Sequence, residues 1–228
     1  MEVNELIKDI KKQFRLYMNG VVSQSMREKG LDYKLNFGIE VPRIKEIAAK
    51  YEKNHDLAQA LWKENIRECK ILAGMLQPVE SFYPEIADIW IEDMRYPELA
   101  ELTSMNLFQH LPYISEKVFQ WIASEGEYFQ LCGYLSLARL LMKGMEMNER
   151  AADEFLDQAL TALQDDSAKV RRSAYTALQK YAYQQPAQAK KLAKMLQTFH
   201  ETDNMDILAL KEDVKLQIES LHLTFKLL

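Results

Sequence analysis

Glycine and proline are scarce in this chain, 7 and 6 among 228 residues, about half their usual share in a soluble protein. Nucleotide-binding folds need glycine where backbone approaches phosphate, and all-β folds need turn residues at short intervals, so both are excluded. The same scarcity argues against a disordered tail. Only two cysteines occur, Cys69 and Cys132, without CxxC spacing, which excludes a disulfide framework and a zinc site and fits a reducing compartment. No apolar run approaches the roughly 18 residues of a membrane span, and the opening MEVNELIKDIKKQF carries acids and lacks a signal peptide's apolar stretch. The expectation is a cytoplasmic protein without membrane contact. The four histidines, at 55, 110, 200 and 222, are scattered, and HExxH, GxSxG and GxxxxGK[ST] are all missing. Neither a metal nor a cofactor is expected.

What is abundant is helix-forming pattern. Apolar residues are 48% of the chain and charged residues 28%, and the apolar ones recur at three- and four-residue steps with no sustained alternation. The fold class is all-α. Leu6, Ile7, Ile10, Phe14 and Tyr17 share one stripe, a second helix runs from about Val21 to Glu28, and a third starts behind Pro42 with Ile44 and Ile47. The stretch GLDYKLNFGIEVP between them is irregular. Short helices then follow at about 55–62, 65–77, 80–94, 97–110, 114–124, 127–143, 149–163, 167–185, 186–199 and 204–221. The prolines fall at helix edges, where a missing N–H costs least. Trp62, Trp90 and Trp121 sit in apolar helical runs and are expected in the core.

Repeated pairs of helices of this length make an α-solenoid, each pair burying its face against its neighbours. The best local match to a HEAT repeat is Asp165-Asp166-Ser167-Ala168-Lys169-Val170-Arg171-Arg172-Ser173-Ala174 with Leu178. Ser167 or an acid caps the helix, Val170, Ala174 and Leu178 face inward, and Arg171 reaches across the turn. Weaker echoes are Asn65-Ile66-Arg67-Glu68 with Leu72, and Gln130-Leu131-Cys132-Gly133 with Leu137. A single HEAT-like domain over 1–228 is expected.

Charge is distributed unevenly. Between Lys169 and Phe199 lie Lys169, Arg171, Arg172, Lys180, Lys190, Lys191 and Lys194 and no acid, so a net −5 conceals a +7 segment beside a −12 remainder. Cations on paired helices can neutralise phosphates, the sequence-independent part of DNA binding; the alternative is a solvated helical ridge. Tyr175, Tyr181 and Tyr183 interleave with these bases, an arrangement that serves either nucleic-acid stacking or helix packing. An acidic patch, Glu80, Glu85, Asp88, Glu92, Asp93, Glu98 and Glu101 against Arg95 alone, precedes it. Most of these acids are expected to face solvent.

The segments Phe37-Gly38-Ile39-Glu40-Val41-Pro42-Arg43, Leu57-Ala58-Gln59-Ala60-Leu61-Trp62, Arg67-Glu68 with Ile71-Leu72-Ala73, Trp121-Ile122-Ala123-Ser124 and Val170-Arg171-Arg172-Ser173-Ala174 resemble the DNA alkylation repair family. That family comprises bacterial alkylpurine DNA glycosylases of the AlkD and AlkC type, built from HEAT-like repeats. The resemblance implies a C-shaped solenoid with a basic concave face for duplex DNA, and no cofactor. It also implies aromatic residues and a carboxylate around a cationic N-alkylated purine, the carboxylate stabilising charge that develops on the sugar.

Carried over residue by residue, the family's Trp followed four positions later by Asp corresponds to Pro97 and Glu101, with Tyr96 adjacent. Its later Arg corresponds to Leu131, and its second Trp to Thr176 beside Tyr175. Three readings stand: a DNA-binding relative with weak or lost glycosylase activity, an active alkylpurine glycosylase using Glu101 and Tyr96, and a HEAT-type scaffold for a protein partner. The first two place DNA on Lys169, Arg171, Arg172, Lys180, Lys190, Lys191, Lys194 and Tyr175.

Overall fold

The computed structural model describes residues 2–226, and side chains as far as residue 220. Among the described residues it is all-helical, with thirteen α-helices, two short 3-10 turns and one isolated parallel bridge between Leu35 and Ile66. The chain forms two compact units, Met1–Pro112 and Tyr113–Leu228.

The first unit holds α1 (Val3–Leu16), α2 (Gly20–Glu28), α3 (Val41–Ala48), α4 (His55–Lys63), α5 (Arg67–Leu76), α6 (Pro84–Glu92) and α7 (Pro97–Asn106). Pro42, Pro84 and Pro97 occupy first turns, where no intrahelical N–H bond is lost. The run expected at 80–94 is broken: Val79–Ser81 is a 3-10 turn, Phe82 and Tyr83 are extended, and α6 starts at Pro84. A residue before proline is pushed out of the helical region, which explains the break. The expected 97–110 helix likewise stops at Asn106, and Phe108–His110 is a 3-10 turn. Helix α5 is the hub, packed against α3, α4 and α7. Nine of its ten residues are buried, Arg67, Glu68 and Lys70 among them.

The second unit holds α8 (Ile114–Ile122), α9 (Glu127–Met142), α10 (Glu149–Ala162), α11 (Ala168–Gln184), α12 (Pro186–Leu196) and α13 (Met205–Lys226). Helix α9 packs on α8 and α11, and α11 also packs on α10, α12 and α13. Gly133 allows the α8 contact: a Cβ there would stand 2.8 Å from Ile122 Cγ1 and 3.2 Å from Trp121 Cβ. The HEAT-like pattern of α11 is realised. Ser167 Oγ accepts the Val170 N–H, and Val170, Ala174 and Leu178 are buried. Arg171 Nη1 donates to the carbonyls of Asp165 at 2.7 Å and Asp166 at 3.0 Å, reaching back across the turn.

Candidate nucleic-acid interface

Helix α11 turns Val170, Ala174, Ala177, Leu178 and Tyr181 inward, and the Tyr181 ring meets Phe155 of α10 edge-on at 5.8 Å. With 3.6 residues per turn, Arg172, Thr176, Gln179 and Tyr183 fall on the opposite side. There Arg172 is exposed and Tyr183 is 56% exposed. Lys180 sits on the flank toward α9, lining with Tyr183, Met142 and Glu146 a shallow cavity of about 500 Å³.

The seven cations do not play one role. Lys169 donates to Glu127 at 3.0 Å and lies 5.3 Å over the Tyr128 ring. Arg171 pairs with Asp206 at 3.0 Å, and Lys191 with Asp153 at 2.6 Å. The hydrogen bonds from Lys169 and Lys191 to these carboxylates hold both ammonium groups above the usual lysine range. Arg172, Lys180, Lys190 and Lys194 have no side-chain partner among the described residues. Of these, Arg172 and Lys180 belong to α11 and Lys190 and Lys194 to α12, one turn apart and both exposed. Tyr175 is engaged within the unit: its hydroxyl donates to Asp213, and burial followed by that carboxylate raises its pKa.

The first unit carries the carboxylate and aromatic candidates. Glu101 lies on the exposed side of α7, away from buried Leu99, Ala100, Thr103 and Ser104, and has no side-chain partner among the described residues. Tyr96 precedes α7 in extended conformation; its hydroxyl accepts the Asp32 N–H at 2.7 Å and its ring tilts against Tyr33 at 4.7 Å. No hydrogen bond joins Tyr96 and Glu101 among the described residues. Tyr96 instead helps line a cleft of about 520 Å³, with Tyr33, Trp62, Lys70, Trp90 and Arg95 among its walls. Trp62 and Trp90 stack in its floor at 3.9 Å and 5°, both buried as expected. Lys70 Nζ stands 4.7 Å over Trp62, donates to the Trp62 carbonyl at 2.8 Å and pairs with Asp93.

Sequence reasoning missed a buried ionic cluster behind this cleft. Arg67, 2% exposed, makes a two-pronged contact with Glu98 at 2.8 and 2.5 Å and donates to Glu68 at 3.1 Å and to the Ile39 carbonyl at 2.9 Å. Burial opposes the Arg67 charge, but hydrogen bonds and attraction from Glu98 and Glu68 outweigh it and raise its pKa. Fully buried Glu68 accepts the Phe37 N–H at 3.1 Å and the Ile39 N–H at 3.3 Å. Burial and the Glu98 charge also lift the neighbouring Tyr33 above the usual tyrosine range. The cluster joins the two motifs, Arg67-Glu68 holding the backbone of Phe37 and Ile39. An adjacent Arg-Glu in a helical run was the available signal, but it reads equally as a solvated ridge.

The three positions where the resemblance places Trp, Arg and Trp have other duties. Pro97 starts α7, Leu131 is 4% exposed in α9, and the Thr176 hydroxyl donates to the Arg172 carbonyl of its own helix. Among the described residues no group of three or more His, Cys, Asp or Glu is placed to hold a metal ion, and none of the helices is long and apolar enough to cross a membrane. The side chain of His222 lies outside the described residues.

Comparison with known proteins agrees with this architecture. No curated protein matches the sequence. A solved structure described as "a new family of proteins related to the HEAT-like repeat DNA glycosylases with affinity for branched DNA structures" superposes with a TM-score of 0.77 at 14% identity, over 96% of this chain and 95% of that one. That likeness establishes a HEAT-like helical fold. The family model for DNA alkylation repair enzymes matches residues 10–215, nearly the whole chain. The chain therefore belongs to the DNA alkylation repair enzyme family.

Proposed function

We propose that this protein binds duplex DNA through the open side of α11, with weak or no glycosylase activity. The observation that carries the reading is the division of labour on α11 and α12. Three cations are neutralised inside the unit, while Arg172 and Lys180 stay without a carboxylate partner beside exposed Tyr183. A guanidinium and an ammonium on one helix contact the phosphate backbone without reading sequence, and a tyrosine alongside offers a stacking face. Lys190 and Lys194 extend the cationic surface on α12. Loss of glycosylase activity is supported by Pro97, Leu131 and Thr176, none of which offers an aromatic face or a guanidinium to a cationic base.

Each bound phosphate contributes about −0.9 to the slope of log affinity against log salt. Changing Arg172 and Lys180 together to Ala is expected to flatten that slope by about 2, so that the affinity lost relative to the wild type is about tenfold greater at 50 mM than at 200 mM salt. A slope unchanged in the double variant would remove α11 from the interface.

Glu101 supports a second reading, because it is an exposed carboxylate without a competing cation. In that reading the protein releases 7-methylguanine or 3-methyladenine from methylated DNA, and Glu101→Gln slows the release. The favoured reading expects at most slow release, and only at high protein concentration.

A further inference from the structure

A surface that neither reading uses lies where α1 turns into α2. Leu16 is 75% exposed, Met18 60% and Val21 81%, three large apolar side chains on six consecutive residues. The turn that carries them is held from beneath. The Asn19 N–H donates to the Phe37 carbonyl at 2.8 Å, the Asn19 side chain accepts the Val22 N–H at 3.2 Å, and the Ser23 hydroxyl donates to the Asn36 carbonyl at 2.6 Å. The apolar tip is therefore braced against the loop that Glu68 fixes.

Arginines surround it. Arg15 closes α1 and is exposed, Arg27 lines with Met18 a shallow cavity of about 410 Å³, and Arg43, paired with Glu46, lies 4.6 Å over the Tyr17 ring. From Ile10 to Arg27 the chain has four bases and no acid, and among the described residues only Lys11 of these is paired, with Glu64. Rigid exposed apolar side chains ringed by cations fit a polyanion that also presents an apolar surface. DNA does so where stacking is interrupted: base faces are exposed, and phosphates flank them on both sides.

We infer that the α1–α2 turn is a wedge, Leu16, Met18 and Val21 lodging against base faces at a break in the stack while Arg15 and Arg27 hold the flanking phosphates. The inference rests on the DNA-binding reading above. In an intact duplex the wedge must first open a base step, whereas at a gap that step is already open. The protein therefore prefers gapped DNA to continuous duplex of the same length.

The test compares a continuous duplex with the same duplex carrying a one-nucleotide gap, with 2-aminopurine beside the gap, for the wild type and the variant Leu16→Ser, Met18→Ser, Val21→Ser. All three residues are exposed, so the variant retains the fold, which circular dichroism checks. The wild type is expected to prefer the gapped duplex about tenfold and to raise 2-aminopurine emission. The variant is expected to lose both while binding continuous duplex as before. Retention of the preference in the variant overturns the wedge and leaves the α11 reading standing. Failure of the wild type to bind either DNA overturns both. Tip-dependent binding to phosphatidylglycerol vesicles without a gap preference overturns the wedge in favour of a membrane contact.

Discussion

Replacing Glu68 by Gln tests the buried cluster most directly. The carboxylate is fully buried and accepts three donors, the N–H groups of Phe37 and Ile39 and one Arg67 nitrogen. Glutamine keeps the shape but offers one oxygen. If that oxygen faces Phe37, the new amide N–H₂ confronts the Ile39 N–H and Arg67; if it faces Ile39, the Phe37 N–H is stranded. One or two donors thus lose their acceptor in either orientation, at about 1.5–3 kcal/mol for each hydrogen bond involving a charged group. Arg67 keeps its two contacts with Glu98, so the full 3–5 kcal/mol typical of a broken buried pair is not reached. The expected loss is about 2 kcal/mol, a fall of about 1 M in urea midpoint for a slope of about 2 kcal/mol/M. Tryptophan fluorescence follows it, because Trp62 and Trp90 are stacked in the same unit. The control is Glu46→Gln, which removes an exposed pair with Arg43 and is expected to change stability by less than about 0.5 kcal/mol. A Glu68→Gln midpoint within about 0.3 M of the wild type, at an unchanged slope, would mean that the carboxylate does not hold the loop.

Two helical glycines give opposite expectations for the same change. Gly133→Ala places a Cβ 2.8 Å from Ile122 Cγ1 and 3.0 Å from the Ile122 nitrogen and is expected to cost about 1–3 kcal/mol, whereas Gly74→Ala meets nothing nearer than 3.8 Å and is expected to gain about 0.5–1 kcal/mol. Thermal melts of the two variants should move in opposite directions; a shared sign would be inconsistent with the packing. Glu127 titrates below the ordinary glutamate value, chiefly through the Ser167 hydrogen bond and then through Lys169. Its folded pKa is depressed, so its contribution is present above the unfolded value and is lost as pH falls through the lowered one. Carboxyl NMR should show Ser167→Ala moving the Glu127 midpoint upward; an unmoved midpoint would assign the shift elsewhere.

Helix existence was readable because each element obeys a local rule. The α11 stripe Val170, Ala174, Leu178 and its Ser167 cap are consequences of 3.6-residue periodicity and N-terminal capping, and both appear as expected. The failures at 79–83 and 107–110 arise where apolar residues continue through a backbone break: Pro84 forces Tyr83 to extend, and Leu107 leaves the helical region with ψ −63 at φ −128. Charge counting was less informative than helix prediction because it ignores partners from distant segments. The cations at 169, 171 and 191 meet acids at 127, 206 and 153, which no local window of sequence contains. The buried state of Arg67 and Glu68 was hidden for the same reason, since burial depends on what α5 packs against.

The hold of α5 on the 36–39 loop has a consequence for how this region can change. The hydrogen bonds that Glu68 and Arg67 make with Phe37 and Ile39 run to main-chain N–H and C=O groups. The clamp is therefore blind to side-chain identity there and sensitive only to main-chain path. Gly38 is the exception. Its φ of +68 and the Asn19 oxygen 2.3 Å from where a Cβ would stand leave no room for another residue. Gly38 and the two charged residues fix the trace together with the Asn19 N–H and the Ser23 hydroxyl, which hold the Phe37 and Asn36 carbonyls, and with the Asn36 side chain, which accepts the Gly38 N–H at 2.8 Å.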